Sequence, residues 1–82
     1  MAYALAMTND LNATVAQNVG LALDSQGRSI TDLSRTTGIA ERTLRRRMTG
    51  TSDWTTGEIA LICASLGTSP QSLMRKAPSL AA

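Results

Sequence analysis

The chain has 82 residues, a net charge of +2 and a sequence pI of about 9.3. A chain of this length forms one small domain that buries about 60% of its unfolded surface, which favours compact helices over a large sheet. Phe is absent and a single cysteine excludes an internal disulfide, so Ala, Leu, Ile, Val and Met must build the core, a mixture that favours helix.

The N-terminal residues 1–7 are apolar, but they are few and lack a basic leader. We interpret them as neither a signal peptide nor a membrane span, and expect a cytoplasmic protein. Residues 1–8 are expected to be a loose N-terminal segment or an extension of the first helix. Residues 9–75 are expected to form the domain, and residues 76–82 a short C-terminal tail.

The first predicted helix runs from about Asn9 to Ser25, with Thr8 or Asn9 as its cap. Apolar residues recur every four positions and form one face of this helix: Leu11, Val15, Val19 and Leu23. Gly20 costs this helix about 1 kcal/mol relative to alanine. Close packing by a neighbouring helix would explain the glycine.

The second predicted helix follows Ser29, which with Asp32 three positions later resembles a capping box in which Asp replaces the usual Glu or Gln. Ile30 and Leu33 form its short apolar face. Gly38 follows the last turn, where a left-handed residue commonly closes a helix.

The third predicted helix concentrates positive charge, because "ERTLRRRM" contains four of the eight basic residues in the chain. With Leu44 at the centre of the buried face, Arg42 and Arg46 project from the opposite side. Arg45 projects sideways, and Arg47 must pass the edge of the core. A solvated surface helix is the general interpretation of such a charge run. The preceding helix and turn favour a helix that reads DNA.

The fourth predicted helix has Thr55 as its cap and Glu58 at its third helical position, and it ends at Gly67. Its apolar stripe consists of Ile59, Ile62, Cys63 and Leu66. The fifth begins with Ser69 as its cap and Pro70 at the first helical position. Its two apolar residues, expected to face the core or a partner, are Leu73 and Met74.

Two residues that could suggest chemistry are assigned to the core instead. Cys63 lies on the apolar stripe, and the chain has no histidine to complete a metal site or a nucleophile pair. Trp54 precedes a helix cap and is expected to cover the core as a staple, with stacking on a nucleic-acid base as the second interpretation. We therefore expect no enzyme activity, no cofactor and no metal.

A short helix, a turn at Gly38 and a second helix with outward arginines describe a helix-turn-helix. This stretch resembles the lambda repressor-like (Cro/C1, or XRE-type) DNA-binding family. The residues that carry the resemblance are Leu33, Gly38, Ile39, Ala40, Glu41, Arg42, Thr43, Leu44 and Gly50. It continues into "IALICASLGTSPQSLM" and covers about Val15 to Met74. The resemblance implies an all-α, compact five-helix domain in which the second and third helices read DNA.

Carried over by position, the resemblance implies two groups of DNA-contacting residues around a recognition helix at about 41–49. The base-contacting group is Glu41, Arg42, Arg45 and Arg46. The backbone-contacting group is Ser29, Thr43, Arg47, Thr49, Thr51 and Ser52. Arginine matches the O6 and N7 acceptors of guanine, and each good pair contributes about 1–3 kcal/mol of discrimination. Glu41 has two interpretations: an acceptor for cytosine N4, or a stabiliser of the helix start.

The sequence departs from the family pattern at three places. Ile30 replaces a polar residue that commonly binds phosphate, so that contact is expected to be missing. Ala40 replaces the usual Ser or Thr cap of the recognition helix. Arg47 and Met48 look inverted, since the family prefers an apolar residue followed by a polar one. Either the helix is rotated slightly, or Arg47 lies along the surface by its aliphatic stem.

These features predict a sequence-specific regulator of transcription that binds double-stranded operator DNA, a phage-type repressor acting by promoter occlusion. A homodimer through the C-terminal helix and tail or through the N-terminal segment is one expectation, and monomeric binding is the other. The alternative from another class is a protein-interaction adaptor or antitoxin-like module with the same fold and little DNA reading. No membrane or small-molecule partner is expected.

Overall fold

The computed structural model describes residues 2–75 of the chain, including the side chains of residues 11–75. These residues form five helices: α1 Ala2–Gln26, α2 Ile30–Thr37, α3 Glu41–Met48, α4 Thr56–Leu66 and α5 Pro70–Met74. No strand occurs in this part of the chain. The arrangement confirms the predicted all-α, five-helix fold.

Helix α1 begins at Ala2 rather than near Asn9, so the predicted caps Thr8 and Asn9 lie inside it. Alanine, leucine and methionine dominate the added turns and all favour helix, which accounts for the earlier start. In the apolar row of this helix, Val15, Val19 and Leu23 are buried, whereas Leu11 is 44% exposed. The apolar period predicts a face, whereas burial also requires a neighbouring element to cover it.

The core lies where α1, α4 and α5 meet the α2–α3 pair, and its largest fully buried side chains are Leu33, Leu44, Ile62, Leu73, Val15 and Val19. Trp54 covers one end of this core, as predicted, and is 8% exposed. Its indole Nε1 donates to the backbone oxygen of Asn12 at 3.2 Å. This bond joins α1 to the loop before α4.

The predicted caps of α2, α4 and α5 are confirmed, because they depend on local sequence. Ser29 and Asp32 form a capping box at the start of α2, and Thr55 and Glu58 form another at the start of α4. The Ser69 hydroxyl caps α5 by accepting from a backbone N–H. These caps satisfy backbone donors that have no partner within their own helix.

Gly20 lies where α1 passes close to the end of α3. A Cβ added at Gly20 would be 3.6 Å from Cε of Met48, an ordinary van der Waals distance. Met48 is half-buried and packs against the core. The neighbour expected at Gly20 is therefore α3, although the space would accept a methyl group.

Two polar side chains that the sequence did not single out connect α1 and its following turn to the C-terminal helices. Arg28 donates from Nη1 to the backbone oxygen of Ser65 at 2.9 Å, and from Nη2 to Thr36 Oγ1 at 3.0 Å. Asn18 donates from Nδ2 to the backbone oxygen of Leu73 at 2.6 Å. These bonds hold α1 against α5 and the turn after α1 against α4. The α2–α3 pair contacts α1 and α4.

Cys63 is buried, and its burial raises the pKa of the thiol. This confirms the predicted core position. Within residues 2–75 no group of three or more His, Cys, Asp and Glu residues is arranged to hold a metal ion. In the same part of the chain, none of the helices combines the length and the hydropathy needed to cross a membrane.

Candidate nucleic-acid interface

The turn between α2 and α3 is fixed by side-chain to backbone hydrogen bonds. Gly38 adopts the left-handed conformation at φ +78°, as predicted for a residue that ends a helix. The Ser34 hydroxyl donates to the backbone oxygen of Ile39 at 2.6 Å, and the backbone N–H of Ile39 donates to Thr37 Oγ1 at 3.2 Å. Ile39 packs against the core. The orientation of α3 is therefore set by the turn as well as by packing.

Leu44 anchors α3 in the core and leaves the opposite face of the helix in solvent. Leu44 is 1% exposed, whereas Arg42, Arg45 and Arg46 are exposed. Among residues 11–75, the side chains of Arg42 and Arg46 have no hydrogen-bond or ion-pair partner, whereas Arg45 pairs with Glu41. The structure thus places two guanidinium groups on the outer face of α3, and none of their donors is bonded to the part of the chain whose side chains are described.

The start of α3 lacks a side-chain cap at Ala40, as the sequence predicted. Glu41, in the first turn, has both carboxylate oxygens occupied. Its Oε1 accepts from Thr31 Oγ1 at 2.7 Å, and its Oε2 accepts from Arg45 Nη2 at 3.0 Å and Arg45 Nε at 3.2 Å. The hydrogen bond from Thr31 and then that from Arg45 lower the pKa of Glu41. Glu41 therefore connects α2, α3 and the flank of the arginine face.

The four predicted base-contacting residues lie together on one surface. They line a shallow depression on α3 together with Thr49: Glu41, Arg42, Arg45 and Arg46. Two of the four are already bonded to each other across one helical turn, since Glu41 and Arg45 form an ion pair. The depression presents three positive charges and one negative charge to solvent.

Arg47 turns away from this face and bonds to the start of α4. Its Nε lies 2.8 Å from Glu58 Oε1 and its Nη2 lies 2.9 Å from Glu58 Oε2, while Nη1 donates to the hydroxyl of Ser52. The side chain is only 17% exposed. These bonds raise the pKa of Arg47 and lower that of Glu58. Arg47 is thus bonded to Glu58 while Met48 packs against the core, and this arrangement accommodates the order of the two residues.

The remaining predicted backbone-contacting residues lie around the two ends of the helix-turn-helix. The Ser29 hydroxyl accepts from the backbone N–H of Asp32 at 3.1 Å, and Thr43 is half-buried on the flank of α3. Beyond α3, the hydroxyl oxygens of Thr49 and Thr51 are 3.1 Å apart and both residues are exposed. Ile30 is half-buried and packs against the core, so this position offers no polar contact.

A comparison with known families agrees with this geometry. The chain matches the family described as Cro/C1-type HTH DNA-binding domain over residues 21–78, which is more than half its length. It therefore belongs to that family, and α2 and α3 are its helix-turn-helix. This defines the class of protein as a DNA-binding transcription regulator. No match was found among the curated proteins or among the solved structures.

Proposed function

We infer that α3 enters the major groove of double-stranded operator DNA and that Arg42 and Arg46 contact base edges there. The observation that carries this inference is the difference between the arginines of one helix. Arg47 is bonded to Glu58 inside the domain, whereas Arg42 and Arg46 are exposed and have no partner within residues 11–75. An unbonded guanidinium is able to donate two parallel hydrogen bonds to O6 and N7 of guanine.

We revise the predicted contacts of the charged residues that already form an ion pair within the domain. We assign Glu41 to the helix start and Arg45 to the flank of the interface, because the two side chains are already paired with each other and Glu41 also accepts from Thr31. We assign Arg47 to holding α3 against α4 rather than to phosphate. The proposed phosphate contacts are the hydroxyl residues around the helix-turn-helix: Ser29, Thr43, Thr49, Thr51 and Ser52.

The regulatory role that fits these assignments is repression of the phage type by promoter occlusion, since a domain seated in the major groove keeps other proteins from the same site. A homodimer on a pseudo-palindrome would bring two copies of α3 to half-sites about 34–36 Å apart. The proposed dimer surfaces are the C-terminal helix, where Met74 is exposed, together with the tail of residues 76–82, which lies outside the described residues, or the N-terminal part of α1.

Selection from random-sequence DNA with the whole protein tests the base-reading role. We expect an enriched site that contains guanine at the positions read by Arg42 and Arg46, and two-fold symmetry in that site if a dimer binds. The variant with both arginines changed to alanine should lose the enrichment. The matched control is Arg35→Ala, which removes the same charge from an exposed position on α2 and should keep it.

The missing polar contact at Ile30 favours the alternative function, a protein-interaction adaptor. The salt dependence of DNA affinity separates this alternative from the proposed DNA binding. Each phosphate contact should steepen the fall of log affinity with log salt by about 0.9. An adaptor would bind mixed DNA weakly at every salt concentration and enrich no sequence. That pair of results would overturn the proposed function.

A further inference from the structure

The ion pair between Glu41 and Arg45 divides the exposed arginines of α3 into two kinds. Arg45 donates from Nε and Nη2 to one carboxylate oxygen of Glu41, so this edge of its guanidinium is bonded inside the protein. Arg42 and Arg46 have no acceptor among the side chains of residues 11–75. All three arginines are exposed on the same helix, so Arg45 differs from the other two in having a bonded partner and not in its burial.

The carboxylate of Glu41 is itself held in place by the preceding helix. Thr31, on α2, donates to its other oxygen at 2.7 Å. Since both oxygens have donors from the protein, the carboxylate is fixed between α2 and Arg45. Glu41 at the first position of α3 also stabilises the helix start through the helix dipole, which favours negative charge there.

Resting on the proposed function, we propose that Glu41 is a specificity-determining residue that keeps Arg45 from binding phosphate. Phosphate contacts supply affinity for any sequence, whereas base contacts discriminate between sequences. Without its bond to Glu41, Arg45 would add one phosphate contact beside Arg42 and Arg46. By holding Arg45, Glu41 lowers binding to unrelated DNA and leaves recognition to the two unbonded arginines.

The test measures the affinity of the whole protein for mixed-sequence duplex DNA as a function of salt. Glu41→Gln removes the charge that holds Arg45, and Glu41→Asp keeps the charge at the helix start but shortens its reach. Both should steepen the slope of log affinity against log salt by about 0.9, the value of one added phosphate contact. Both should also reduce the ratio of operator affinity to mixed-DNA affinity.

The same substitutions in an Arg45→Ala background identify the route of the effect. If Glu41 acts through Arg45, neither Glu41→Gln nor Glu41→Asp changes the slope in that background. Asp24→Asn, an equal charge change on an exposed position of α1, should leave the slope of the wild-type protein unchanged. Thermal unfolding shows whether each variant is folded. If Glu41→Gln does not fold, the salt dependence of Glu41→Asp still tests the inference.

Three results would overturn the inference. One is an unchanged slope in both Glu41 variants, and another is an equal change with and without Arg45, which would indicate simple repulsion of phosphate by Glu41. In either case a wild-type protein that enriches an operator through Arg42 and Arg46 would still support the proposed function. The third is a wild-type protein that binds no DNA, which removes the proposed function together with this inference.

Discussion

Arg46 and Arg47 are adjacent in the sequence and have opposite surroundings. Arg47 is 17% exposed and makes a two-pronged bond to Glu58, while Arg46 is exposed and has no partner among the described side chains. The 100° step between successive helical residues separates them, because Leu44 fixes which side of α3 is buried. The number of arginines in a segment is therefore not the number available to a ligand.

The largest effect on stability is expected from truncating Leu44, the residue that fixes which side of α3 is buried. Leu44→Ala should lower the free energy of unfolding by about 2–5 kcal/mol, the range for buried leucine. Leu61→Ala is the matched control, because Leu61 is 49% exposed on α4 and should change stability by less than about 0.5 kcal/mol. Urea unfolding measures both. Equal losses in the two variants would show that Leu44 does not anchor α3.

Arg47→Ala comes next, because it leaves the carboxylate of Glu58 half-buried without its main partner. Hydrogen bonds to charged groups contribute about 1.5–3 kcal/mol, so a loss of stability in this range is expected. Arg42→Ala removes the same side chain from the outer face and should stay within about 0.5 kcal/mol of wild type. A stable Arg47→Ala protein with weakened DNA binding would instead support the phosphate contact predicted from sequence.

Arg28→Ala should lower the free energy of unfolding by less, about 1 kcal/mol. The acceptors of its hydrogen bonds on Ser65 and Thr36 are uncharged, and the bonds are partly exposed to solvent. Arg35→Ala is the control, as Arg35 is 74% exposed and only weakly paired. Thermal unfolding of the two variants gives the comparison. Identical midpoints would indicate that Arg28 does not connect the α1–α2 turn to α4.

The smallest expected effect is a pH dependence that belongs to Glu58. Its pKa is lowered in the folded protein, first by Arg47, so its contribution is fully present above the unfolded value of about 4.3 and is lost as pH falls through the folded value. Glu58→Gln keeps the capping box but cannot titrate. The difference in unfolding free energy between wild type and this variant should narrow between pH 7 and pH 3. A constant difference would contradict the ion pair.

The elements that the sequence predicted well are those determined by neighbours in the chain. The capping boxes at Ser29 and Thr55 and the stripe on α4 depend on spacings of a few residues, and they are present as predicted. The helical wheel also predicts that Arg47 differs from Arg46. These predictions require only helix geometry and local hydrogen bonding.

The features that the sequence did not predict depend on contacts between distant segments. The sequence predicts only a capping role for Glu58 at the start of α4. Its bond to Arg47 is not predicted, because it requires α3 and α4 to meet at a particular angle. The exposure of Leu11 similarly depends on which elements lie over α1. Thr31 carried no signal, since its bond to Glu41 exists only once the turn is folded.

The most direct measurement of DNA reading by the outer face of α3 is the affinity for the selected operator, compared among wild type, Arg42→Ala, Arg46→Ala and the double variant. Each single change should cost about 1–3 kcal/mol and relax the preference at one base position, with Arg35→Ala close to wild type. Operator affinity that stays at the wild-type value in the double variant would contradict the assignment of α3 as the recognition helix.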